Sequence, residues 1–471
     1  MIDTKAVKNK ILNLAMRGQL TEQIPKGESA EELYAEIIKE KAGLVKEGKI
    51  KKEKNIVDIF DEDAPFDIPS NWKWCKFGAV IVLVSGTDFN PEDYNDVAIG
   101  IPYVTGASNF LDDGVLVNRW TEKPRNIANE GDVLLVCKGS GYGKTAICDI
   151  PEAHIARQIM AVKKTDLLNM KYVLYFLKTN FDYIKSKGQG LIPGIDRKSV
   201  LNMNFPLPPT DVQDCIVEKI EAVFEILDKI EALQNQYAFN QEALKSKLID
   251  AAIQGKLTEQ LPEDGTAEDL YQLVQSEKKK LQKEGKIKKT KAFVSIIDEE
   301  IPFQLPSNWK WVRLGSVLNE VIVPQRDKPK RFDGDIPWCR IEDADGDYMS
   351  KSHSNQNVSQ KIVEEMNLRI FPVGTILSAC SGGSIGRILI TTTELCTNQT
   401  FNGLVCSMGL YNRYLFHFLR NSIGRLKKMG SGAAMEYVSQ KKIAEMLIPL
   451  PPLAEQHRIV EKLDALLSLV A

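Results

Sequence analysis

The forty-five residues from Thr210 to Gln254 contain neither glycine nor proline. They follow Pro206-Leu207-Pro208-Pro209, where stacked prolines forbid a helix and Thr210 or Asp211 is suited to cap one. Apolar residues fall at Ile216, Ile220, Val223, Leu227, Ile230, Tyr237, Leu244, Leu248 and Ala251. With Gln234 and Gln241 included, the steps alternate between four and three, a heptad seam of about five repeats. At ~1.5 Å per residue the helix is roughly 65 Å long. A narrow seam of that length needs a partner helix, and its two glutamines favour one register. The stretch predicts a rod separating two bodies.

The chain on either side is written twice. GQLTEQIP (Gly18 to Pro25), EELY at Glu31, KEGKIKK at Lys46 and IPSNWKW at Ile68 recur 237 residues later, at Gly255, Glu268, Lys283 and Leu305. A second series recurs after 243 residues. GDVLLVCKGSGYGK at Gly131 matches GTILSACSGGSIGR at Gly374, and PLPP-x-x-x-Q-x-x-IVEK at Pro206 matches Pro449. This is a duplication of half the chain and not a solenoid of short units. Met1 corresponds to Ala238 inside the rod and Ala471 to Asp228, as in a ring cut within its second rod. The expected fold is therefore α/β: two globular domains separated by two long antiparallel helical, coiled-coil regions, with pseudo-two-fold symmetry in a circularly arranged repeat. The segments are 1–63 (helical), 64–208 (first globular domain), 209–300 (central helix and helical region), 301–448 (second globular domain) and 449–471 (helical).

Composition narrows the class. Hydrophobic residues at 43% and charged ones at 26% are ordinary for a globular protein. No run of 18 apolar residues and no signal-peptide pattern occurs, which predicts a cytoplasmic location. The eight cysteines show no C-x-x-C spacing and the four histidines are far apart, which argues against a disulfide framework or a zinc site. The net charge of −2 gives no hint of a nucleic-acid partner, but local charge does. Residues 131–208 hold 11 Lys/Arg against 6 Asp/Glu and residues 374–449 hold 8 against 3, whereas 64–130 hold 5 against 9. Each globular region thus has a basic second half, the balance expected of a surface that follows phosphates.

Both globular regions show short β-rich runs: 80–84, 133–136 and 159–162 in the first, 376–377, 388–391 and 401–405 in the second. Each ends on a helix, near 171–177 and 411–420. The frames match while the polar residues mostly differ, which suits one scaffold reading two ligands. The PLPPTDVQDCIVEKIEAVFEILDKIEAL run at Pro206, PLPPLAEQHRIVEKLDALL at Pro449, the paired PSNWKW and the GDVLL/GTIL turns resemble the specificity subunit of type I restriction-modification systems. That resemblance covers essentially the whole chain. It implies two target recognition domains, each reading half of a bipartite site in double-stranded DNA through the major groove. It also implies helical regions that set the spacing and dock two methyltransferase subunits, with restriction/translocase subunits joining that core. By the same implication this chain is not an enzyme and binds no cofactor; S-adenosylmethionine, ATP and Mg belong to its partners.

GSGYGKT (Gly139 to Thr145) imitates a phosphate loop, but Gly139 stands one residue too close to Gly143, and Lys138 occupies the place the motif needs for glycine. The second copy has Arg387 and Ile388 where Lys and Ser/Thr are needed. A Gly-Ser loop ending in a cation suits approach to a DNA backbone better. Asp343 to Asp347 imitates a calcium loop but has Tyr348 where glycine is required. Candidate phosphate contacts are Lys138, Lys144, Arg157, Lys185, Lys187 and Arg197, then Arg387, Arg425, Lys427, Lys428 and Lys441. Base reading needs amides, guanidinium groups or small hydroxyls on loops. The candidates are Thr105, Ser108, Asn109, Ser140, Tyr142, Gln158 and Gln189, then Arg340, Ser381, Ser384, Asn398, Gln399 and Ser431. The Trp72/Trp74 and Trp309/Trp311 pairs read as packing residues. Two alternatives remain: a coiled-coil protein–protein adaptor that does not read DNA, and a nucleotide-binding enzyme using residues 139–145.

Overall fold

The computed structural model describes residues 1–22, 29–53, 59, 64–111, 114–139, 141–186, 194–289, 292–325, 327–430 and 436–470. It divides into two compact units, Met1–Asn235 and Gln236–Ala471.

The first unit opens with helices α1 (Thr4–Met16) and α2 (Ala30–Lys46), the latter started by a Ser29/Glu32 capping box. The globular region begins with β1 (Lys73–Lys76), a short helix α3 (Phe77–Val80), β2 (Leu83–Ser85) and β3 (Ile101–Val104). Then come β4 (Phe110–Leu111), β5 (Gly114–Val115), β6 (Trp120–Thr121), β7 (Ile127–Asn129), β8 (Val133–Val136), β9 (Thr145–Ile147), β10 (Glu152–Ile155) and β11 (Ile159–Val162). Helices α4 (Met170–Thr179), α5 (Phe181–Ser186) and α6 (Arg197–Leu201) lead to β12 (Asn204–Leu207) and then to α7 (Thr210–Ile253). The expected strand over 80–84 is only half realised, because Val80 closes α3 and pairing starts at Leu83.

Two four-stranded sheets result, ordered β2-β11-β8-β9 and β6-β3-β10-β7. Every residue of β8 and β11 is buried, which explains why they read as unbroken apolar runs without alternation. Helix α4 covers β8 and β9 and is anchored by Tyr172, fully buried, whose hydroxyl donates to the Pro206 carbonyl at 2.9 Å. The clasp β1–β12 pairs the first strand of the globular region with its last.

The second unit repeats this order. It contains α8 (Ala267–Lys283), β13 (Lys310–Arg313), β14 (Leu318–Ile322), β15 (Ile336–Cys339), β16 (Tyr348–Met349), β17 (Asn357–Val358) and α9 (Gln360–Glu365). It continues with β18 (Ile376–Ala379), β19 (Ile388–Thr391), β20 (Cys396–Thr397), β21 (Phe401–Cys406), α10 (Asn412–Asn421), α11 (Ile423–Met429), α12 (Gln440–Ala444), β22 (Leu447–Leu450) and α13 (Leu453–Leu469). Its larger sheet is β14-β21-β18-β19-β16, its smaller one β17-β15-β20, and β13 clasps β22. Tyr414 donates to the Pro449 carbonyl at 2.9 Å, as Tyr172 does to Pro206.

The shared motifs have physical roles. The glutamine of PLPP-x-x-x-Q is fully buried in both copies. Gln213 Nε2 donates to the Pro208 carbonyl at 3.0 Å while its Oε1 accepts from Asn169 N, beside the start of α4. Gln456 donates to the Pro451 and Gly409 carbonyls and accepts from Tyr411 N, beside the start of α10. Gly18 and Gly255 have φ of +67° and +70°, and a Cβ there would lie 2.4 and 2.5 Å from Pro69 and Pro306 of the PSNWKW motifs. Trp72 and Trp309 are buried, consistent with packing.

Helix α7 runs 44 residues without a break. Along its first half, Thr4 Oγ1 donates to Glu231 at 2.9 Å, Lys8 pairs with Asp228, and Gln234 exchanges two hydrogen bonds with the main chain of Ile2. Contacts that descend along α7 as they ascend along α1 make the two helices antiparallel. In the second unit, Gln241 Nε2 donates to the Val470 carbonyl at the end of α13. Both seam glutamines therefore hold the main chain of a helix end. The seam positions Tyr237 and Leu244 are exposed.

A buried ammonium recurs as well. Lys41 Nζ donates to the carbonyls of Gly78, Ala79 and Ile81, and Lys278 Nζ to those of Gly315, Ser316 and Leu318, at 2.6–3.1 Å. Burial lowers both amines to about 8. In the first unit the buried His154 imidazole accepts from Arg125 N and Asn126 N at Nδ1 and donates from Nε2 to the Thr87 carbonyl at 2.7 Å. That pattern requires the neutral ring, and burial lowers its pKa.

Lys278→Met leaves three buried carbonyls without a donor and is expected to cost about 1–3 kcal/mol, read as a lower urea midpoint; an unchanged midpoint contradicts the role assigned to the ammonium. For His154 the sign follows from its lowered pKa. The unfolded ring takes a proton near its ordinary value while the folded ring does not, so stability falls as pH drops through about 6.5. His154→Asn should lower the melting temperature at pH 7.5, and its deficit relative to the parent should shrink by pH 5.5. A deficit constant with pH would refute the neutral-ring assignment.

Candidate nucleic-acid interface

In the first unit, three loops and a helix converge beyond the strand ends. The chain leaves β3 at Thr105 and turns through a 3-10 turn, Ala107–Asn109. The β8–β9 hairpin loop carries Gly139 and Gly143 at φ of +88° and +93°. A Cβ at Gly141 would lie 2.2 Å from Ala107 Cβ, and one at Gly143 would lie 2.9 Å from Phe181 in α5. The hairpin thus seats on both neighbours. Gln158, between β10 and β11, completes the cluster, its Oε1 within 3.0 and 3.4 Å of a Cβ built at Gly106 and Gly139. The candidates brought together and exposed are Ser108, Lys138, Lys144, Arg157 and Gln158.

Four candidates have their polar groups engaged within the fold. Asn109 is fully buried; its Oδ1 accepts from the amide and hydroxyl of Thr105 at 3.0 Å each, and its Nδ2 donates to Leu116 O and Asn118 Oδ1. It shapes the turn, spends the Thr105 hydroxyl, and has no group left for a base. Tyr142 is buried with its hydroxyl committed to the Lys185 carbonyl, while the Lys185 ammonium stands 4.1 Å from its ring centroid. Arg197 pairs with Glu53 and reaches Ser85 Oγ at 3.3 Å, so its charge is answered internally. Ser140, Lys187, Gln189 and Ser431 lie outside the described residues.

The second unit builds the same cluster. Arg340 leaves β15 into a 3-10 turn, Ile341–Asp343, and the buried Asp343 takes the place of Asn109. Its two carboxylate oxygens accept from Arg340 N and His353 N at 2.7 Å each. The imitation calcium loop therefore begins with a buried turn-capping residue. Ser381, at the β18–β19 hairpin, bridges to Tyr437, and Ser384 Oγ donates to the Ser381 carbonyl at 2.6 Å. Asn398 Oδ1 accepts from Thr400 N, whereas Gln399 is exposed.

The two frames share several backbone bonds. Ala156 N donates to Val104 O as Asn398 N does to Cys339 O; Cys137 N to Gln158 O as Cys380 N to Thr400 O; Ile195 N to Cys137 O as Val438 N to Cys380 O. Residues on that frame differ: Arg157 faces the role of Gln399, and Gln158 that of Thr400. Neither hairpin is followed by a helix, so residues 139–145 lack the helix N-terminus that a phosphate loop supplies. This overturns the nucleotide-binding reading of that loop. The buried thiols Cys137 and Cys380 behind the hairpins are pushed up to about 11, far from nucleophilic thiolates.

The other candidate cations are exposed. Lys138, Lys144, Arg387, Arg425, Lys427 and Lys428 make no ion pair within 4 Å among the described residues, and Lys441 lies 3.8 Å from Glu445. Arg157 is 3.3 Å from Asp88, which also accepts from Arg157 N. Sequence reasoning missed Asp88, whose partner is 69 positions away. It also missed Asp343 as a cap, although its spacing of three from Arg340 was a usable signal.

Residues 69–237 and 306–471 each match the family model described as the type I restriction modification DNA specificity domain. Similar proteins include the type I restriction enzyme EcoAI specificity subunit of Escherichia coli, 26% identical over 548 aligned residues, with 98% of this chain and 89% of that one covered. The EcoEI specificity subunit of the same species is 28% identical over 380, covering 67% and 62%. A chain solved in work on complex assembly and conformational transition of the type I R-M system shares the fold. Its TM-score is 0.58 at 19% identity, covering 86% of this chain and 92% of that one. Matched twice over most of its length, this chain belongs to the type I restriction-modification DNA specificity family.

Proposed function

We propose that this chain is the DNA-reading, non-catalytic subunit of a type I restriction-modification complex, and that each globular region (64–208 and 301–448) reads one half of an asymmetric bipartite site. The observation that carries this is the loop cluster present in both units, held by several of the same backbone bonds and different in its exposed polar groups. Phosphate contacts fall to Lys138, Lys144, Lys185 and Arg157 in one half, and to Arg387, Arg425, Lys427, Lys428 and Lys441 in the other. Base contacts fall to Ser108 and Gln158, then to Arg340, Ser381, Ser384, Asn398 and Gln399. The helical segments 1–63, 209–300 and 449–471 act as antiparallel coiled-coil spacers in the cytoplasm. They set the spacer between the two half-sites and dock two methyltransferase subunits, which restriction/translocase subunits join. Support for the paired rods comes from the circular order of the repeat and from the seam glutamines of α7. S-adenosylmethionine, ATP and Mg are bound by those partners and not by this chain. No helix among the described residues is long and apolar enough to cross a membrane.

Exchanging residues 64–208 for another domain of this family should alter one half-site of the methylated motif and leave the other half and the gap intact. A motif changed in both halves, or in neither, counts against the assignment. Lys144→Ala and Arg387→Ala should each weaken binding to all duplexes alike and reduce the slope of log K against log salt by ~1. Slopes equal to the parent's in both variants would remove these residues from the interface.

A further inference from the structure

Resting on that reading, we infer that the second unit requires a G·C base pair in its half-site, recognised by Arg340 with Glu342 beside it. Arg340 is held where β15 ends: its amide is fixed by Asp343, whose other oxygen ties down His353. Its Nε lies 3.0 Å from a carboxylate oxygen of the exposed Glu342, without the alignment of a hydrogen bond. The terminal guanidinium nitrogens make no hydrogen bond among the described residues, and Glu342 is the group's ion-pair partner. Two further buried polar atoms on the same return of chain, Ser352 Oγ and Gln356 Oε1, have no hydrogen-bond partner there either. Gln356 lies against β15, since its carbonyl accepts from Trp338 N, and Ser352 precedes the tethered His353. Buried polar atoms left unanswered along one turn and the chain that returns to it point to a ligand that brings its own polar groups.

Charge decides between phosphate and base. A carboxylate 3.0 Å from a guanidinium repels a phosphate and makes the pair a poor backbone clamp. The same pair matches the major-groove edge of G·C: the guanidinium fork donates to guanine O6 and N7, and the carboxylate accepts from the cytosine 4-amino group. The first unit has Thr105, Gly106 and Ala107 at this turn and no acid–base pair, so the requirement belongs to one half-site alone.

The test is methylome sequencing of a host carrying the complete system, with the half-site of residues 301–448 identified by exchange of residues 64–208. In Arg340→Ala, one guanine position of that half-site should become degenerate, its preference falling roughly tenfold or more, with the gap and the other half unchanged. If Arg340→Ala melts early, Arg340→Gln, which retains most of the side chain's bulk, is read the same way. An unchanged motif overturns the inference. So does a uniform loss of methylation at every position in a variant that melts like the parent, because that marks a backbone or structural contact. A parent complex that methylates without any motif would instead sink the DNA-reading assignment itself.

Discussion

A buried primary amide joins helix to globular region in each unit. A glutamine side chain has two faces, one donating and one accepting, and Gln213 and Gln456 use both. The donating face closes on the proline stack that ends β12 or β22; the accepting face takes an amide beside α4 or α10. Proline has no N–H to offer, so this junction cannot be welded by ordinary ladder bonds. The amide supplies that connection, beside the side-chain bonds of Asp214 to Asn169 at the start of α7 and of Glu455 to Trp309 at the start of α13. Glutamate in that place would lose the donating face and bury a charge.

Around that junction the molecule separates what is fixed from what varies. Strands β8 and β18, covered on both faces, hold the hairpins, and backbone bonds such as those of Cys137 and Cys380 carry the loops without regard to side-chain identity. Surface groups such as Gln158 and Arg340 can then differ between copies at no expense to the core. Lys41 and Lys278 extend the same economy, since each closes three carbonyls where the chain enters β2 or β14.

Much of this is legible in the sequence because duplication makes frame and surface separable. The 4-3 spacing locates α7, and the paired motifs locate both clasps. Legibility ends where a residue's fate depends on a distant neighbour. Asn109 and Gln158 are equally plausible loop amides in one dimension; only the fold shows one satisfied internally and the other facing out. Arg197 reads as a free cation until Glu53, 144 positions earlier, is placed beside it. The stretch at 80–84 reads as one strand because apolar periodicity over five residues does not distinguish a helical turn from a pleat.

The clasp between β1 and β12 carries a kinetic consequence. Its strands are about 130 positions apart along the chain, as are β13 and β22. Closing a flexible loop of that size costs about 4 kcal/mol of chain entropy before any pairing repays it. Two-stranded ladders are marginal by themselves, so each clasp is stable only once the sheets and the covering helix are in place. Closure therefore comes late in folding. A newly made chain must acquire its cores before the ends of either half meet, and high contact order sets a slow pace for reaching the native state.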